Sequence, residues 1–129
     1  MTFEKAMFPI LRKQKVTDGK TGESTYENSV STVDGYTFET QLPHSMEQVT
    51  IGVYKRAAHN KTIKGMAAWA VSDLETGYMI CEGDTRKKAV EKFLTVYAPK
   101  YDCLRHANHG KDYGKMVSDF NKLIGAWND

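Results

Sequence analysis

Cys103, His106 and His109 fall within one seven-residue window, Cys-Leu-Arg-His-Ala-Asn-His, and Cys81 stands upstream of them. Thiolate and imidazole are the usual donors to zinc, and a structural zinc takes four of them in a tetrahedron. The short spacings let one loop supply three ligands, with Cys81 at the end of an expected strand as the natural fourth. His-x2-His is tighter than the common zinc spacing, and a whole helix separates Cys81 from Cys103. A second reading therefore stands beside the first: Cys81 as a small buried hydrophobe, with the histidines as exposed loop residues. On the zinc reading the role is structural, because Glu82 is the only obvious general base for a catalytic one. His44 and His59 lie in expected loops as substitute ligands. Cys103 with either nearby histidine also has the residue types of a nucleophile pair, yet spacing alone supplies no attack geometry.

Binding chemistry is suggested by a second group. Arg86, Lys87 and Lys88 open a helix, with Lys92 one turn on and Arg105 beyond it. The amino end of a helix already carries partial positive charge, so each cation there costs about 0.3–1 kcal/mol at low salt. A local rule broken without structural benefit points to function, here an anionic partner such as phosphate or an acidic protein surface. A solvated charged face with Asp84 screening it is the competing explanation. Net charge is only +2, but residues 85–115 hold eight lysines and arginines against three acids, so any anionic partner should meet the chain there.

The elements that position these groups follow from periodicity. Thr2 is placed to cap a short N-terminal helix carrying Phe3, Met7, Phe8 and Leu11, with Pro9 limiting its length. Residues 13–23 read as a polar loop or hairpin tip. Asp34-Gly35 between β-formers predicts a tight hairpin turn, with Tyr36 and Phe38 alternating on the strand after it. Ser45 and Gln48 have capping-box spacing for one helical turn. Val49, Ile51 and Val53 alternate as a strand. Residues 66–71 form a strand buried on both faces, residues 73–77 turn the chain, and residues 78–81 return. A helix then runs over 85–97 and stops where Ala98 precedes Pro99, leaving 98–112 as a polar connection. Capped by Asp112, the last helix shows an apolar stripe of Tyr113, Met116, Val117, Phe120, Leu123, Ile124 and Trp127.

These elements predict one α+β domain over residues 1–129: an antiparallel sheet of about four to five strands with two C-terminal helices packed on one face. At 129 residues, with 40% hydrophobic and 26% charged residues, the chain is long enough for a real core. No signal peptide or apolar run of spanning length is evident, so a cytoplasmic protein, a monomer or small homo-oligomer without membrane association, is expected. Two cysteines do not make a disulfide scaffold. No phosphate-binding glycine loop, nucleophile elbow or paired-carboxylate arrangement is present, so a non-enzymatic role is expected.

The segment WAVSDLETGYMICEGDTRKKAVEKFL resembles the strand–turn–strand–helix unit of small phage and mobile-element proteins. The chain as a whole is similar in kind to anti-CRISPR proteins, the small inhibitors of Cas nucleases, over residues 66–129. That resemblance is one of size, mixed architecture and missing catalytic signature. It implies a binder that blocks a host defence protein or its nucleic-acid loading, and it carries over no contact residue. A fainter likeness, the sheet followed by a helix beginning TRKKAVEKF, is to the double-stranded RNA-binding domain. It implies a nucleic-acid module using a basic helix as the alternative.

Overall fold

The computed structural model describes residues 1–56, 68–106 and 110–128. Among the described residues five strands form one sheet: β1 (Glu4–Thr17), β2 (Ser24–Gln41), β3 (Gln48–Lys55), β4 (Trp69–Asp73) and β5 (Met79–Gly83). Their spatial order is their chain order, and each neighbouring pair is antiparallel. A helical stretch follows, made of α1 (Arg86–Lys92), a π-helical turn (Phe93–Tyr97) and α2 (Ala98–His106), and then α3 (Gly110–Asn128). The α+β architecture is the one expected, and several details differ.

The N-terminal helix is replaced by β1, paired with β2 along its whole length. Phe8 and Ile10 alternate toward the interior, and Pro9 is tolerated because β1 is an edge strand. Asp34-Gly35 is not a turn but lies inside β2, where Gly35 pairs with both Ala6 and Tyr54. A Cβ at Gly35 would sit 2.4 Å from the Val53 carbonyl oxygen, so the glycine serves close backbone approach. The hairpin reverses instead at residues 18–23: Asp18 N–H donates to the Glu23 carbonyl at 2.8 Å, and Gly22 has φ +72°. The capping-box spacing at Ser45 and Gln48 forms no helical turn; the chain reverses at 43–45, with Met46 at φ 62°, and enters β3.

Cross-strand partners share a face of the sheet. Phe38, Ile51, Val53, Val71 and Cys81 therefore form one apolar face, covered by Ala89, Val90 and Phe93 and joined by Tyr101 and Tyr113. Both C-terminal helical segments contribute to this side, as expected. Edge-to-face ring pairs run along it from Phe3 to Phe38, Phe93, Tyr101 and Tyr113, with centroids 5.5, 6.2, 6.0 and 6.4 Å apart. The opposite face has its own cluster of Phe8, Ile10, Tyr54 and Ala70. There β1 and β2 coil back over the sheet: the Phe8 ring lies over Gly52, where a Cβ would come within 2.7 Å of it. The Leu11 amide donates to the Gly77 carbonyl at 3.0 Å, tying the edge of β1 to the turn after β4. β4 is buried on both faces as predicted, although Met66 and Ala67 lie outside the described residues.

Pro99 does not end the helix. The ring of a proline clashes with the carbonyl four residues back and offers no donor. Here the preceding turn widens to π geometry, with the Ala98 amide donating to the Phe93 carbonyl, and the helix continues. The supposed connection at 98–112 is thus mostly α2, and Cys103, Arg105 and His106 are helical residues.

Candidate functional site

The turn between β4 and β5 and the inner sides of α2 and α3 enclose a network of ionisable groups. Asp73, 3% exposed, sits at its centre. Its Oδ1 accepts from the Tyr101 hydroxyl at 2.8 Å and the Glu75 amide at 3.2 Å. Its Oδ2 accepts from the Tyr113 and Thr76 hydroxyls, each at 2.7 Å. Four donors fill the four lone-pair sites that a carboxylate offers. Burial foremost, then the neighbouring Asp73 carboxylate, pushes the Tyr101 phenol up, and burial and its hydroxyl partners do the same for Tyr113. Both stay protonated as donors.

Arg105 closes the network. Its Nη1 reaches Glu75 at 2.5 Å, the Tyr113 hydroxyl at 2.6 Å and the Tyr101 hydroxyl at 3.2 Å, and its Nη2 pairs with Glu47. The guanidinium also lies 4.9 Å from the Tyr113 ring centroid. His106 Nε2 contacts the other oxygen of Glu47, so that carboxylate is held between two consecutive side chains of α2. Burial would raise the Glu75 carboxyl, but the hydrogen bond and charge of Arg105 outweigh it and hold the group below the usual range. Beside Arg105, Asp102 accepts the His44 amide at 2.7 Å and the Ser45 amide at 2.9 Å. Burial opposes its charge, yet the Ser45 and His44 hydrogen bonds prevail and depress its pKa. Two clefts flank this cluster, one of about 280 Å³ bordered by Glu47, Thr50 and Arg105, and one of about 220 Å³ bordered by Ile80, Tyr97 and Met116.

Of the predicted metal ligands, Cys81 is placed apart from Cys103 and His106. Cys81 is in the core under α1, its Sγ 3.6 Å from the Ala89 carbonyl, and burial pushes its thiol up to about 11. Cys103 is exposed on α2, where it lines a shallow depression with His44, Ser45, Asp102 and His106. His109 and His59 lie outside the described residues. Among the described residues no three His, Cys, Asp or Glu side chains converge on a point that would hold a metal ion. Glu82 pairs with Arg56 at 2.6 Å.

The predicted binding cations divide. Arg105 is turned inward, its side chain 10% exposed. Arg86 lies between two rings, its guanidinium carbon 4.8 Å from the Phe3 centroid and 4.5 Å from that of Tyr36. Lys5 is the cross-strand partner of Tyr36, so a second cation borders the same ring. Lys87, Lys88 and Lys92 are exposed, and Thr85 rather than Asp84 caps α1, accepting the Lys88 amide at 3.1 Å. Lys92 and Lys100 place ammonium groups 6.0 and 5.4 Å from the Tyr97 ring. Sequence reasoning missed Asp73, Glu75, Tyr101 and Tyr113. The available signal was Asp73 two residues before Glu75, an Asx-turn spacing; nothing linked it to tyrosines on later helices.

No described helix is long and apolar enough to cross a membrane. No family model, curated protein or solved structure matches the chain.

Proposed function

We propose that this chain is a non-enzymatic binding protein that inhibits a host defence protein by docking on it and blocking its nucleic-acid loading. A Cas nuclease is the partner class its resemblance names. The observation that carries the proposal is the Arg86 cluster, a guanidinium between the rings of Phe3 and Tyr36 with Lys5 beside them. Rings hold the cation in a fixed place, cation–π contact being worth about 0.5–1 kcal/mol at exposed sites, and so preorganise it for an acidic surface. Arginine and aromatic residues are also the types that dominate binding energy at protein interfaces.

The buried network supports binding over turnover. Its central carboxylate has every acceptor site filled from within the chain, and its phenols are held protonated. Groups so engaged join α2 and α3 to the β4–β5 turn. Co-elution with a purified Cas nuclease tests the proposal. The wild-type chain should form a stable complex, and Arg86→Glu with Lys87→Glu should abolish it while the melting temperature stays within a few degrees. A wild-type chain that fails to co-elute, or a charge-reversed one that still does, contradicts it.

A further inference from the structure

Every described residue in the range 13–28 is exposed, so the far half of the β1–β2 ribbon leaves the body as a two-stranded arm. Isolated two-stranded hairpins are marginal in water, yet this one is carefully finished. Thr17 and Ser24 hydroxyls meet at 3.2 Å, and the Lys20 amide donates to Asp18 at 2.8 Å. Such an arm adds nothing to the core. The six steps from Leu11 to Thr17, at roughly 3.3 Å each, give it a reach of about 20 Å.

The register sorts charge between its faces. Lys5, Lys13 and Lys15 share one face with Tyr36, Asn28 and Tyr26, and Asp34 is the only acid on that side of the paired strands. The other face carries Glu4, Glu27 and Glu39 against Arg12 alone. Every described residue of the arm is exposed, so its lysine face is open to solvent; nearer the body the same face passes through Tyr36 and Val53 to the side covered by α1. Arg86 joins the lysine set through Tyr36. Tyr26 stands 69% exposed opposite Lys15, an aromatic ring with no ring or hydrogen-bond partner among the described residues.

The geometry points to an arm that binds double-stranded DNA, with Lys13 and Lys15 on its phosphates. B-form DNA has a major groove that admits a two-stranded ribbon, whereas the A-form groove of duplex RNA is too deep and narrow for side chains to read. Binding by the arm does not rest on docking at Arg86, and the two are read apart because Lys13 and Lys15 lie outside that cluster.

Fluorescence anisotropy with a 20-base-pair DNA duplex (about two helical turns) in graded salt tests the assignment. Each phosphate neutralised contributes about 0.9 to the slope of log K against log salt, so Lys13→Ala with Lys15→Ala should lower that slope by about 1.8. Lys122→Ala, at an exposed site on α3, should leave the curve in place. Circular dichroism melting of each variant separates lost contact from lost fold. Failure of the folded wild-type chain to bind the duplex at 50 mM salt (roughly the low end of the usual range) overturns the assignment. So does an unchanged slope in the double variant, or equal affinity for an RNA duplex of the same sequence.

Discussion

Asp102 and Cys81 show how burial acts oppositely on charge according to the partners supplied. Asp102 is 2% exposed, and its carboxylate persists because amides of the 42–47 turn point at it. Its folded pKa lies below the unfolded one, so its stabilisation is present above the ordinary carboxylate value of about 3.9 and is lost as pH falls through the lower folded value. Melting temperature should therefore drop on acidification below about pH 4, and Asp102→Asn should flatten that limb. Superimposable acid limbs for the two proteins would contradict it. Cys81 has no such donors, and its thiol stays protonated. A colorimetric thiol reagent at neutral pH should titrate only Cys103 in the native chain and both cysteines in urea. Rapid reaction of both in the folded state would refute this. The sequence left two readings of Cys81 open, and nothing in a lone cysteine separates ligand from hydrophobe. The helix that covers it decides its burial.

Elements were legible where the period was long and unbroken. β3, β5, the start of α1 and the stripe of α3 all lie close to where alternation or helical spacing puts them, with Phe120 buried on that stripe. The failures came from residues whose local preference is overridden by tertiary contact. Gly35 next to Asp34 has turn chemistry, yet it is used for close approach under Tyr54 and Phe8. Pro99 has breaker chemistry, yet one π turn absorbs it. Gly35→Ala should cost about 1–3 kcal/mol in urea unfolding, because the added methyl meets the Val53 carbonyl rather than solvent. A glycine at an exposed hairpin turn would give a smaller loss, and a change below about 0.5 kcal/mol, the usual range for surface substitutions, would contradict the packed position.

At the scale of the molecule, two tasks lie along one side of a twisted sheet. One face carries the aromatic line into the Asp73 network, which fixes both C-terminal helical segments to the β4–β5 turn. Along β1 and β2 that same face carries lysines, held clear of the body in the arm, and Arg86 extends their charge onto α1. A near-neutral total of +2 conceals this segregation. The basic run of 85–115 was visible in the sequence, but its division was not. Arg105 and Lys88 differ only in which side of a helix they occupy, and the helix containing Arg105 was hidden behind Pro99. The central proposal, docking that blocks a Cas nuclease, is tested most directly by titrating the purified chain into a guide-loading and DNA-cleavage assay with Cas9. Cleavage should fall linearly to an end point near equimolar chain when it is added before the guide, and Arg86→Glu with Lys87→Glu should restore cleavage. Undiminished cleavage at a large excess of folded wild-type chain would contradict it.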